Sequence, residues 1–155
     1  MNLEIIKYPN PILTKPCQEV NTTDLAQSST QEIIDNILGF FQNHNGGKLQ
    51  RGSWSGLSAN QVGIELRLFV AYLDDKHVYT VINPRLRRSP ISNVRLESCA
   101  SVPGLQLNIR RSNQVVLEAL DRHGNPFKKT LGGFYAASVL HEIDHLNGKL
   151  ITDRH

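Results

Sequence analysis

The run His141-Glu142-Ile143-Asp144-His145 sets two imidazoles four residues apart, with a carboxylate beside the first. On an α-helix that interval is about one turn, so both rings leave one face and reach one ion. Glu142 adjoins the first candidate ligand and can touch a water held at such an ion without ligating it. Two imidazoles do not complete a site. One metalloprotease pattern adds Gly three residues after the second His and another His three residues beyond. Gly148 meets the first demand, but Ile151 stands where the second needs His. Another class takes a downstream Glu, and none follows His145. The remaining ligand therefore comes from upstream, among Cys99, His123, His77, Glu97, Cys17 and His44.

Of these, Cys99 has the most suitable surroundings. It lies in Glu97-Ser98-Cys99-Ala100-Ser101-Val102-Pro103-Gly104, a small-residue turn between predicted strands where backbone can approach a ligand. A thiolate with two imidazoles leaves the fourth tetrahedral place open, which is the arrangement of a catalytic site. A bound ion also keeps the thiol deprotonated at neutral pH. Cys17, between Pro16 and Gln18, reads as an inert cysteine.

The elements that must position these residues follow from pattern. Gly133–Asn147 reads as a helix closed by Gly148, with Phe134, Ala137, Leu140 and Ile143 or Leu146 as a stripe packing on a sheet. An earlier helix shows Ile33, Ile34, Ile37, Leu38 and Phe41 at three- and four-residue spacing. Ser29 or Thr30 is its expected cap, Glu32 sits in its first turn, and Asn45-Gly46-Gly47 ends it. Between the helices, 66–73, 77–82 and 114–120 are rich in β-branched, leucine and aromatic residues. Asp74-Asp75-Lys76, Asn83-Pro84 and 121–126 supply turn chemistry between and after them. Short turns without intervening helices predict antiparallel pairing. The fold class is α+β.

Composition narrows the setting. The 155 residues suit one domain, 1–155, with no repeat, low-complexity tract or dividing linker. A net charge of +3 falls short of a nucleic-acid footprint by itself. Two cysteines are too few for a disulfide scaffold and point to a reducing compartment. Apolar runs are too short to cross a bilayer, and Glu4, Lys7, Pro9 and Pro11 break any secretory segment. A cytoplasmic, monomeric domain without membrane contact is expected.

Three segments together resemble peptide deformylase. Gly56-Leu57-Ser58-Ala59-Asn60-Gln61 is similar to the family's first motif, Glu97-Ser98-Cys99-Ala100-Ser101 to its second, and His141–His145 to its third. They occur in the family's order, and similarity runs from Tyr8-Pro9 to Leu150. The resemblance implies antiparallel sheets wrapped around the motif-bearing C-terminal helix, plus an N-terminal helix. It also implies metal ligation by Cys99, His141 and His145, with Glu142 as the acid–base group. Gln61 and the backbone N–H of Ala100 then face the substrate carbonyl oxygen, while Gly56, Phe134, Ala137 and Ser138 line the site for a methionine-like side chain. The cofactor expected is one divalent ion, natively iron(II), with zinc, nickel or cobalt as substitutes. The implied activity is removal of formyl groups from nascent N-formylmethionyl peptides.

Departures from the family pattern are Ser98 in place of Gly, Ala100 in place of a larger residue, and a longer, more polar segment 46–55. Many bacterial members carry a C-terminal extension that helps them dock on the ribosome. The sequence given ends at His155, so only weak or transient ribosome contact is expected. Asp144 is expected to pair with Arg111. The cluster Arg85-Leu86-Arg87-Arg88 with Arg95 reads as a solvated hairpin turn rather than an RNA-binding patch, since no aromatics interleave it. Trp54 reads as either a lid or part of the core. His44, His77, His123 and His155 read as surface or turn residues. An ordinary zinc peptidase is the rival enzyme reading; it would cleave internal bonds rather than release formate.

Overall fold

A computed structural model describes residues 1–154; the expectation for His155 lies outside them. Helix α1 spans Ser28–Asn45 and helix α2 spans Gly133–Leu146. Between them run β1 (Gly56–Ser58), β2 (Leu68–Tyr72), β3 (Val78–Arg88), β4 (Ser92–Cys99), β5 (Val102–Ser112), β6 (Gln114–Leu120) and β7 (Pro126–Gly132). Five strands form a sheet in the order β1-β2-β3-β6-β7, and β4-β5 form a separate two-stranded sheet. Every ladder between strands is antiparallel, as the short turns predict.

Strand alternation divides the core in two. On β2, Leu68, Val70 and Tyr72 pack with Ile34, Ile37 and Phe41 of α1. The alternate residues Phe69 and Ala71 pack with Val139, Leu140, Ile143 and Leu146 of α2. All five β2 residues are buried, because both sheet faces carry a helix. On its far side α2 meets the β4–β5 hairpin. The site-bearing helix is therefore the middle layer.

Several expectations need correction. No side chain caps α1: the helix begins at Ser28 after Gln27, and Thr30 is buried instead. Its end agrees with expectation, with Gly46 left-handed at φ 63 and the Gly47 N–H donating to the Gln42 carbonyl at 2.9 Å. Asn83-Pro84 does not end a strand. β3 continues to Arg88 through an irregularity between Ile82 and Arg85, and Asn83 takes a positive φ of 50. Asn83 tolerates this because its amide pairs with the Val20 backbone at 2.8 and 2.9 Å. Arg85–Arg88 are thus strand residues paired with β6, not a hairpin turn. Phe134 does not pack on the sheet either; it is 48 % exposed. A helix covered on two sides is apolar nearly all round, so periodicity alone does not say which stripe meets the sheet.

Behind α2, Gly148 is left-handed (φ 72), and a Cβ there would lie 2.7 Å from the Thr14 carbonyl carbon and oxygen. Both strain and collision fall on backbone. Gly148→Ala should therefore lower unfolding stability by about 1–3 kcal/mol in a denaturant titration. An unchanged midpoint would contradict this packing.

Candidate metal centre and cleft

The last strand position of β4 and one face of α2 converge. Cys99 ends β4 just before the hairpin turn, whereas His141 and His145 lie one helical turn apart on α2. The Cys99 Sγ is 3.3 Å from His145 Nε2, which is 3.2 Å from His141 Nε2. All three donor atoms lie within 4.8 Å of one another. A tetrahedral zinc-like ion has N···N edges of about 3.3 Å and S···N edges of about 3.6 Å, given its usual bond lengths. The nitrogen edge matches and the sulfur edge is about 0.3 Å shorter, so one sulfur and two nitrogens fit a shared cation with a small outward shift of the thiol.

Neighbouring side chains fix these donors. Glu97 Oε1 lies 2.9 Å from His141 Nδ1, which places the proton on Nδ1 and leaves Nε2 to point at the centre. Glu97 in turn accepts from Arg111 Nε and Nη2 at 2.8 and 2.9 Å. Arg111 Nη1 donates to Asp144 at 2.6 Å, the pairing expected from sequence. Arg154 reaches the same carboxylate at 2.8 Å. Burial opposes the charge on Glu97, but hydrogen bonds from Arg111 and His141 outweigh it and hold its carboxyl at about 2. Asn60 Nδ2 donates to the His145 carbonyl at 2.7 Å and braces the second imidazole from its backbone.

Burial also favours neutral His141, yet hydrogen bonds with Cys99 and Glu97 raise it to about 10. His145 is pushed well below its ordinary value by burial, then by the charges of His141 and Arg111.

Glu142 is 3 % exposed, and its Oε2 accepts from Ser58 Oγ at 2.7 Å. Burial raises its pKa, with His141 and the Ser58 hydrogen bond opposing. Gln61 is also buried, not the surface glutamine a polar loop suggests. Its Oε1 accepts from the Ser58 N–H at 3.0 Å, which turns Nε2 toward Ser101 Oγ at 3.1 Å and Cys99 Sγ at 3.8 Å. Ser58 and Asn60 stand in the first motif with no task legible from residue type. Glu97 reads from sequence only as a candidate ligand. Hydrogen bonds that depend on the fold supply those roles.

A cleft of about 490 Å³ opens beside the three donors. Gly56, Gln61, Ala100, Phe134, Ala137 and Ser138 all line it, with Cys99, His141 and Glu142. Trp54 both lines the cleft and packs against the α1 core, its ring stacked 3.4 Å from that of His44. A second depression, also about 490 Å³, lies among Glu19, Arg85, Glu118 and Lys128 on the sheet and lacks these donors. Its charges are paired, Arg85 with Glu19 and Lys128 with Glu118. His44, His77 and His123 are exposed and away from the centre. Cys17 is also outside it.

The fold and donor set define a metal-dependent hydrolase with a substrate cleft. The family described as polypeptide deformylase matches residues 2–155, and the chain belongs to that family. A peptide deformylase from Thermodesulfovibrio yellowstonii is 32 % identical over 156 residues, covering 98 % of this chain and 88 % of that protein. The crystal structure of a peptide deformylase from Legionella pneumophila superposes with a TM-score of 0.85 at 34 % identity, covering 100 % of this chain and 86 % of that one. That of a Synechococcus elongatus peptide deformylase in complex with actinonin gives 0.83 at 28 %, covering 98 % and 78 %. The activity is hydrolysis of the N-formyl group of N-formylmethionyl polypeptides, which releases formate. The family uses a divalent metal. Among the described residues no helix is long and apolar enough to cross a membrane.

Gly56 tests the cleft geometry. A Cβ there would lie 2.8 Å from both Cγ and Oε1 of Glu142, a flexible side chain. Gly56→Ala should keep stability within about 1 kcal/mol while displacing the carboxylate, with deformylation falling on the order of a hundredfold. Retained activity would place Glu142 elsewhere. Cys17 offers a pH test. Burial raises its thiol to about 11, with Arg67 opposing and Glu65 assisting. An unfolded thiol ionises near 9.0, so the neutral buried form stabilises the fold below that pH, and this contribution is lost as pH rises toward 11. Cys17→Ala should lose less stability than wild type across that window; identical losses would refute the assignment.

Proposed function

We propose that Cys99, His141 and His145 hold one divalent cation, natively iron(II), with zinc, nickel or cobalt as substitutes, and that Glu142 is the acid–base group of deformylation. The single observation that carries this reading is the meeting of Sγ and two Nε2 atoms at tetrahedral spacing beside a buried carboxylate. An amide is a poor electrophile and its amine a poor leaving group. A cation at this centre supplies Lewis acidity, which makes water more acidic and a carbonyl more electrophilic.

The chain's own groups do the rest. Glu142 takes a proton from the attacking water and hands it to the departing nitrogen, with the Ser58 hydroxyl holding its carboxylate in place. Gln61 Nε2 and the Ala100 N–H donate to the formyl oxygen as negative charge develops there. One such donor is worth roughly 3 kcal/mol. Gly56, Phe134, Ala137 and Ser138 receive the methionine side chain. Nascent N-formylmethionyl peptides are the substrate, and the related Synechococcus protein is one that binds actinonin. Residues 1–155 act as one cytoplasmic, monomeric catalytic domain, with ribosome contact weak or transient.

Glu142→Gln should keep its metal and lose nearly all formate release from a formyl-Met peptide. Cys99→Asp, which exchanges a soft sulfur for a hard oxygen, should alter metal content and spectrum. Wild-type turnover by metal-loaded Glu142→Gln, or unchanged metal binding in Cys99→Asp, would overturn the respective role. Cleavage of internal bonds without formate would identify a peptidase instead.

A further inference from the structure

We propose that Asn45 is a positioning residue for substrate binding, acting through Trp54, which it fixes as part of one wall of the cleft. The proposal rests on the catalytic reading above and concerns the same cleft.

Residues 52–57 line the cleft as one continuous run. The segment leading into them, 46–53, is polar and turn-rich, with positive φ at Gly46, Gly47 and Gly52. Such a segment brings little of its own to hold a wall in place. Asn45 supplies the anchor from the last position of α1. Its Oδ1 accepts from the Trp54 N–H at 2.9 Å, and its Nδ2 donates to the Trp54 carbonyl at 2.8 Å. One amide thus closes the base of the loop, in the manner of a hydrogen-bonded antiparallel pair. Asn45 is only 2 % exposed. Helix termination does not explain an asparagine there, since left-handed Gly46 already ends α1. A buried amide satisfied by the backbone of one distant residue is a specific tether.

That tether reaches the substrate site through its neighbours. The Trp54 ring stacks on His44 and packs beside Phe40, so α1 holds the ring as well as the backbone. Next in the chain, Ser55 Oγ accepts from Ser138 of α2 at 2.8 Å, and the Ser55 carbonyl accepts from the Tyr72 N–H at 3.0 Å. Gly56 then lies against the Glu142 carboxylate. Residues 54–56 therefore join α1, β2 and α2 along the cleft. Trp54 stands two residues short of the Glu142 contact, so releasing it loosens the binding wall before the acid–base group. A loss of fit shared by ground state and transition state raises KM and leaves kcat nearly alone.

Asn45→Leu removes both hydrogen bonds at similar volume. With formyl-Met-Ala-Ser as substrate, its KM should rise about five- to tenfold while kcat stays within about twofold. Asn45→Asp keeps the acceptor for the Trp54 N–H and loses the donor, so its KM should rise less; it takes the place of Asn45→Leu if that variant does not fold. Trp54→Ala should raise KM by a factor similar to that of Asn45→Leu, and the double variant should go no further, because both changes disable one device. Trp54 is the only tryptophan, so acrylamide should quench the fluorescence of the metal-loaded Asn45 variants more strongly than that of wild type. Wild-type KM in the Asn45 variants or in Trp54→Ala, additive effects in the double variant, or unchanged quenching would overturn this proposal alone. A metal-loaded wild type that releases no formate from the peptide would overturn the catalytic reading and the proposal with it.

Discussion

Arg111 grips carboxylates from two different elements, Glu97 on β4 and Asp144 on α2, while itself standing on β5. A sulfur from a hairpin and two nitrogens from a helix share a centre only when hairpin and helix are locked together. This guanidinium is where they lock. It is 5 % exposed, and Arg154 supplies the second cation that balances the two acids. Such a cluster is costly to desolvate, so its yield in net stability is small. Its partial removal is worse: an uncompensated buried charge costs roughly 3–5 kcal/mol. The arrangement therefore acts chiefly as a positional constraint. Arg111 orients Glu97, Glu97 orients the His141 ring, and the ring presents Nε2 to the centre shared with Cys99 and His145. A glutamate that looks like a ligand by residue type serves the site one atom further out.

A second constraint works on the opposite wall. Ser58 holds Gln61 through its backbone N–H and Glu142 through its hydroxyl, so one short strand end sets the positions of both side chains. The absence of a side chain at Gly56 leaves room for the Glu142 carboxylate against the backbone. Burial then raises the pKa of that carboxylate, while the Ser58 hydrogen bond limits the rise. The Ser58 hydrogen bond thus bears on both the placement and the proton affinity of Glu142, after burial and the His141 charge. A larger residue at position 56 would disturb both together.

Much of this was legible in the sequence where local rules act alone. The four-residue interval of His141 and His145, the Gly46 helix end and the antiparallel pairing each follow from short-range geometry. The small-residue turn at Cys99 proved to be the hairpin between β4 and β5. What stayed hidden depends on long-range company. The strand through Asn83-Pro84 survives because Asn83 finds the Val20 backbone, 63 residues away. Phe134 and Leu140 look equivalent by type, yet only the layer order puts one in the cleft and the other on the sheet. Ser58 and Asn60 are ordinary polar residues until α2 lies against them.

The same reasoning separates the two departures in the second motif. Ser98 is exposed, one position before Cys99 on β4, and lines the cleft without joining the three donors. A hydroxyl there meets water and leaves the ligand geometry alone. Ala100 lies beyond the end of β4, in the turn, and lines the cleft with Ala137 across from it on α2. Where a larger side chain would fill space, two methyl groups leave it open, and burial of the substrate's first side chain must supply the missing contacts. Each methylene so buried contributes about 0.8 kcal/mol. A long, flexible thioether can adapt to such an enlarged site at little cost in fit, whereas a short or β-branched side chain would leave part of it empty.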